Sequence, residues 1–332
     1  QKLDEYMDQN DIAKISILII LSFITFFGSL NKKLARINGT LLIYFILILY
    51  LTNSLLVYLD YNASSKKNIE KILKKNGKNF DQRSLLEVVK DERNLGKEIY
   101  PYVVPREFLK KNYNKFMPLT PMPDKEYISC NEFGWWKKIK TDQLGFNNQT
   151  FMKSFDILLM GDSFAEGSCV QKSFEPTNLF KKFSNKNAYT IGISGNGPFL
   201  SLALAHEVKN TLNFNHIVWL IYDNDFYDLK IESKSDYLIK YLETDFKNNN
   251  YFLNLNKSTN YQIQYINNNL KSFKTGYSLK ESLLELKALI HSINEIFNKN
   301  NIKENEDNNG KIFQKIFNKL YNLYSDKKIF VV

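Results

Sequence analysis

Two apolar runs stand near the start of the chain. Residues 15–31 (ISILIILSFITFFGSLN) and 37–59 (INGTLLIYFILILYLTNSLLVYL) carry no charge over 17 and 23 positions. A helix needs about 20 such residues to cross a bilayer, so the pattern predicts a transmembrane hairpin within residues 1–60, its first span at the short limit. No small-residue cleavage site follows the first run, and a second run arrives almost at once, which argues against a secretory signal peptide. The pattern then turns polar, with helical apolar spacing at Ile69, Ile72 and Leu73 and again at Leu85, Leu86, Val88 and Val89. This predicts a helical linker over 61–97.

Residues 98–150 hold five of the seven prolines and the aromatic stretch YISCNEFGWWKKIKTDQLGFNN, a composition that suits short strands and tight turns. We read them as a β-rich preamble. From 151 onward the period changes. FDILLM (155–160), NAYTIGIS (187–194) and HIVWLIY (216–222) are short apolar runs separated by helical patterns reaching about Phe183 and running from Phe199 to about Leu212. Apolar strands alternating with helices predict an α/β domain over 151–332 with a parallel sheet covered on both faces. The Asn-rich stretch of about 230–273 reads as an insertion. Helices at about 278–298 and 311–324 flank the turn-prone NIKENEDNNG, and KIFVV (328–332) reads as one more buried strand.

Charge refines the topology. Lys32, Lys33 and Arg36 lie between the two apolar runs, against an N-terminal flank with two lysines and four acids. The positive-inside rule places that loop in the cytoplasm and both ends outside, although Lys66, Lys67, Lys71, Lys74 and Lys75 after the second run count the other way. The net charge of +10 rests on 45 cations, of which only Arg36, Arg83, Arg93 and Arg106 are arginines. Guanidinium forks dominate phosphate reading, so this lysine-heavy balance argues against a nucleic-acid partner. Two cysteines and three histidines without metal-ligand spacing give no zinc site.

In open α/β sheets ligands bind beyond the carboxyl ends of the strands, so chemistry is sought after each apolar run. There stand GDSFAEG, SGNGP and DNDFYDL. Gly161, Asp162 and Ser163 give a small residue, a supporting carboxylate and an outward hydroxyl on a tight strand-to-helix turn whose backbone N–H groups face a developing oxyanion. Gly195 offers a further N–H at close approach, where a side chain would obstruct. Asn224 supplies a side-chain N–H.

These three segments, GDSFAEG, GISGNGP and YDNDFYDL, resemble the first three blocks of the SGNH (GDSL-type) serine hydrolases, over about 150–229; residues 126–148 look like the preamble of membrane-anchored members. The resemblance implies a flavodoxin-like three-layer α/β/α fold and Ser163 as nucleophile. It implies an oxyanion hole from the Ser163 and Gly195 N–H groups and the Asn224 side chain, and neither metal nor cofactor. Family members are esterases, lipases and O-acyltransferases, so the expected substrate is an acyl ester, with an envelope saccharide ester suggested by location. Asp223 departs from the family's usual glycine and disfavours an oxyanion if its carboxylate points inward.

A larger departure concerns the base. The family's Asp-x-x-His does not occur in these 332 residues, and His206, His216 and His291 fall in or beside helices and at the far end of a strand. The reading is therefore of a catalytic domain incomplete at its C-terminus, with a catalytically silent glycan-binding or assembly module as the alternative. Glu166 and Asp228 are general-acid candidates that compete with a reading as solvated turn carboxylates. Asp142, Gly145 and Phe146 suggest a packing turn, and Trp135 and Trp136 suggest core packing or a stacking face for sugar. Gly192, Gly195 and Gly197 do not make a dinucleotide fingerprint. Finally, if the preamble packs over the helix after Ser163, Cys130 and Cys169 close a loop of about 40 residues, a disulfide suited to an oxidising compartment outside the cytoplasm.

Overall fold

A computed structural model describes residues 44–55, 65–109, 116–243, 246, 250–269 and 302–332. The chain divides into two units, Gln1–Lys71 with Gly276–Lys303 and Ile72–Thr275 with Glu304–Val332. In the first, residues 44–55 form a helix whose apolar side chains are largely exposed, Leu51 at 68% and Tyr44 at 60%. No helix among the described residues is long and apolar enough to cross a membrane. The first apolar run, both ends of the second, and the helix expected at about 278–298 with its His291 lie outside the described residues.

Helix α1 (Ser65–Lys75) is followed by α2 (Leu85–Asn94). Ser84 starts α2 with a reciprocal capping box: its hydroxyl accepts from the Glu87 N–H while the Glu87 carboxylate accepts from the Ser84 N–H. The buried face of α2, Leu85, Val88 and Val89, packs on Ile99 and Ile128 of a small sheet. That sheet has β1 (Ile99–Pro101) parallel to β2 (Glu126–Ile128), and β2 antiparallel to β3 (Lys138–Lys140).

Among the described residues the main sheet has four parallel strands in the order β5-β4-β6-β7: β4 (Ile157–Met160), β5 (Ala188–Thr190), β6 (His216–Trp219) and β7 (Lys328–Val331). Side chains alternate between its faces, as strand geometry requires. Leu158, Met160, Ile217 and Trp219 enter the large core with α5 (Pro198–Val208) and α9 (Ile302–Leu323), while Ile157, Leu159 and Val218 meet Phe180 of α4 (Pro176–Ser184). Helices therefore cover both faces, and all four carboxyl ends reach one edge.

Two local expectations are corrected. NIKENEDNNG is not a turn over its described residues, because α9 runs unbroken from Ile302 onward. Ile316 and Leu320 anchor the helix in the core, and once nucleated it extends at little cost through polar residues and across Gly310. KIFVV forms a strand but not a buried one: among the described residues β7 is the last strand of the sheet, with Phe330 49% exposed. The Asn-rich stretch begins within α6 (Asp223–Glu232), and its described residues include α7 (Asp236–Ile239) and α8 (Leu255–Asn269). It is fixed to the preamble, for Gln262 donates to the Thr120 carbonyl at 2.9 Å and the Thr120 N–H donates to the Tyr251 hydroxyl at 3.0 Å.

The opposite edge, β5, is closed by the preamble. Asn148 accepts from the Thr190 N–H at 3.0 Å and donates to the Thr190 carbonyl at 2.9 Å, so one side chain does the work of a neighbouring strand. Asp142 orders that turn, accepting from the Leu144 and Phe146 N–H groups and from the Tyr189 hydroxyl of β5 at 2.5 Å. Cys130 and Cys169 are joined by a disulfide that ties the preamble to the segment after Ser163.

Candidate functional site

The site begins where β4 ends. Gly161 sits at φ +140°, and a Cβ there would run into the Leu220 carbonyl beyond β6, so only glycine brings the two strands this close. Asp162 follows as the cap of α3 (Ser163–Glu166), its Oδ1 accepting from the Phe164 N–H at 2.9 Å. Its Oδ2 accepts from the Ser163 hydroxyl at 3.4 Å and from the Asn224 amide at 3.1 Å. Nucleophile candidate and amide donor thus converge on one oxygen, from β4 and β6, neighbours across which the chain's strand order reverses. The N–H groups of Ser163 and Gly195 have no acceptor among the described residues.

Glu166, one helical turn beyond Ser163, organises the second loop. Its carboxyl accepts from the Ser194 N–H at 3.2 Å, from the Ser194 hydroxyl and from the Tyr102 hydroxyl. It is 1% exposed, which overturns the solvated-turn reading. Burial pushes its pKa up to about 7 against the opposing effect of these donors. Glycine at 195 is required by its φ of +76° rather than by space, since a Cβ there meets nothing nearer than Arg106 Cδ at 3.5 Å.

On the third side α6 presents Asp225, Asp228 and Glu232 on one face, and all three are buried. Asp228 is therefore no solvated turn carboxylate either: it pairs with Arg106 at 2.5 Å, and its pKa is raised by burial and lowered in part by that guanidinium. Burial raises Asp225 to about 7, with Asp162 and Asp228 adding repulsion. Glu232 accepts from the N–H groups of Gly197 and Phe199 at 2.6 and 2.8 Å, capping α5, and burial still lifts it to about 8. Asp223 is exposed. Phe164, Tyr222 and Tyr227 form an exposed aromatic rim, with Arg106 over the Tyr227 ring at 5.9 Å.

Neither described histidine joins this site. His206 in α5 packs against Tyr241 and Phe246, and His216 opens β6 at the opposite end of the sheet, against Phe330. Trp136 donates to the Arg83 carbonyl and packs beside α2, while Trp135 lines a separate cavity. Arg106, Tyr102 and Glu232 were not singled out from sequence. The signals were faint: Arg106 is one of four arginines among 45 cations, and Asp225, Asp228 and Glu232 recur at helical spacing.

Three of the raised carboxyls on this site set a pH dependence. Glu166, Asp225 and Glu232 ionise near pH 4 when unfolded and near 7, 7 and 8 when folded, so the folded state holds extra protons between. Stability must then fall as pH rises through that window. His206, lowered by burial, acts oppositely but only below its ordinary pKa of 6.5. The expected result is a melting temperature lower at pH 8.5 than at 6.5 by on the order of 5 °C, with a shallower slope in Glu232→Gln. A flat or rising profile in thermal unfolding would contradict the assignment.

Comparison with models of known protein families, with curated proteins and with solved structures finds no match to this chain.

Proposed function

We propose that the protein is a membrane-anchored serine esterase of SGNH type, which hydrolyses or transfers an acyl ester, with an envelope saccharide as the natural acceptor or substrate. The supporting observation is the convergence of Ser163 Oγ and Asn224 Nδ2 on one Asp162 oxygen, at the carboxyl edge of a parallel sheet. The strand order, 2-1-3-4 in chain sequence, is that of flavodoxin-like three-layer folds, whose ligands sit where the order reverses.

In this reading Ser163 Oγ attacks the ester carbonyl and the alkoxide leaves, giving an acyl-enzyme that water or a sugar hydroxyl resolves. The oxyanion takes the acceptor-free N–H groups of Ser163 and Gly195, and the Asn224 amide turns to it from Asp162. Glu166 holds the Ser194–Gly195 segment in place for this. A proton acceptor for Ser163 is needed, and no histidine among the described residues stands beside it. That observation favours the second reading, a silent module of the same fold.

A fluorophosphonate probe separates the two when applied to the natural full-length protein. Peptide mapping is expected to find the label on Ser163; an unlabelled Ser163 under conditions that label a control serine esterase selects the silent module. Asn224→Ala is expected to lower kcat by about 10²- to 10³-fold, roughly 2.7 to 4 kcal/mol, the range for one oxyanion donor. A loss below about threefold in steady-state kinetics would make Asn224 a turn residue only.

The membrane part of the proposal rests on the two uncharged runs of the sequence and on the exposed apolar helix over 44–55. The disulfide supports placing the catalytic unit outside the cytoplasm.

A further inference from the structure

A cavity of about 320 Å³ opens between β3 and the segment after α3. Its size falls in the range that takes a small organic ligand. One wall is fixed twice, by the disulfide at Cys169 and by Lys137, which is buried and donates to Glu175 at 2.6 Å and to the Val170 carbonyl at 2.8 Å. Lys137 and Glu175 neutralise each other there, and Lys138 is matched by Glu92 at 2.7 Å. The two other lining cations, Lys140 and Lys172, are exposed and have no carboxylate partner among the described residues. Beside them stand the half-buried indole of Trp135 and the exposed amide of Gln171.

We infer that this cavity binds a negatively charged saccharide. An indole offers an apolar plate for the face of a sugar ring, and an amide pairs with ring hydroxyls. Two unmatched ammonium groups select an anion on that ring, and they do so as point charges, indifferent to the flat fork geometry that arginine would impose. The rigid wall means that little ordering entropy is lost on binding. The inference stands apart from the esterase reading, because none of the residues it uses belongs to the Ser163 site.

The test is equilibrium binding to the natural full-length protein by tryptophan fluorescence and calorimetry. Probes are a galacturonic acid trisaccharide, its neutral galactose counterpart, galactose 6-phosphate and inorganic phosphate. Charged sugars are expected to bind at least about tenfold more tightly than the neutral trisaccharide and than inorganic phosphate. Trp135→Phe should remove the fluorescence change. The paired variant Lys140→Ala with Lys172→Ala should weaken charged-sugar binding by about tenfold or more at an unchanged melting temperature. The tighter of the two charged sugars identifies the anion as carboxylate or phosphate. Equal binding of the neutral trisaccharide, equal binding of inorganic phosphate, or full affinity in the paired lysine variant would each overturn the inference.

Discussion

Replacing Ser163 by alanine is expected to lower ester hydrolysis by the natural full-length protein by about 10⁴-fold or more while leaving its melting temperature nearly unchanged. The rate falls because the acyl-enzyme can no longer form, and the oxyanion donors alone recover only part of the acceleration over water. The fold is spared because the hydroxyl's one side-chain partner is Asp162 at 3.4 Å, a long and weak bond, and Ser163 is only partly buried. KM should hardly move, since the hydroxyl contributes little to ground-state binding. The measurement is steady-state hydrolysis of a short-chain aryl ester beside thermal unfolding of the same preparations. A variant as active as the parent removes Ser163 as nucleophile, and with it the esterase reading.

The second large effect concerns stability. Cys130 and Cys169 are 39 positions apart, and closing a loop of that size constrains the unfolded chain by roughly 4 kcal/mol in the chain-entropy model. The folded state has a further reason to depend on this link. It holds β3 and the preamble against the segment from Gly167 to Glu175, beside the buried polar clamps that Lys137 and Asn147 make to Glu175. Cys130→Ser with Cys169→Ser is therefore expected to lower the unfolding free energy by about 3 to 4 kcal/mol, read as a shift in denaturant midpoint at constant slope. A change below about 1 kcal/mol would mean that the unfolded chain is already compact there. Peptide mapping without reductant, on membranes prepared with a thiol-blocking reagent, adds the topological readout. One linked peptide pair agrees with an oxidising compartment; two separately alkylated cysteines would remove the outside placement.

Much of the main sheet was legible because strands buried on both faces read as short apolar runs. FDILLM, NAYTIGIS and HIVWLIY needed no partner information to be recognised. The residues after them were legible for a related reason: Gly161, Asp162, Ser163, Gly195 and Asn224 interrupt apolar runs with small or polar types at the places where a parallel sheet ends. What could not be read is which of these turns face one another across the gap between β4 and β6. Glu166 and Asp228 show the limit most plainly. As isolated carboxylates in turn-like sequence they look solvated, yet Tyr102 and Ser194 bury one and Arg106 the other. Those partners arrive from segments dozens of residues away.

The same division runs through the strand KIFVV and the segment NIKENEDNNG. Apolarity made the first a strand but could not say that its side chains stay largely exposed, because that depends on which other elements pack against it. Polarity suggested a turn for the second, whereas packing of Ile316 and Leu320 into the core carries helix α9 back through its described residues. The amino-acid sequence by itself determined the period of each element and the residue types offered at each strand end, since both follow from local sterics and side-chain chemistry. Tertiary structure alone decided which carboxylates are buried, which oxygen Ser163 and Asn224 share, and whether the two cysteines meet. Burial and pairing are set by long-range contacts, and no local stretch of chain carries that information.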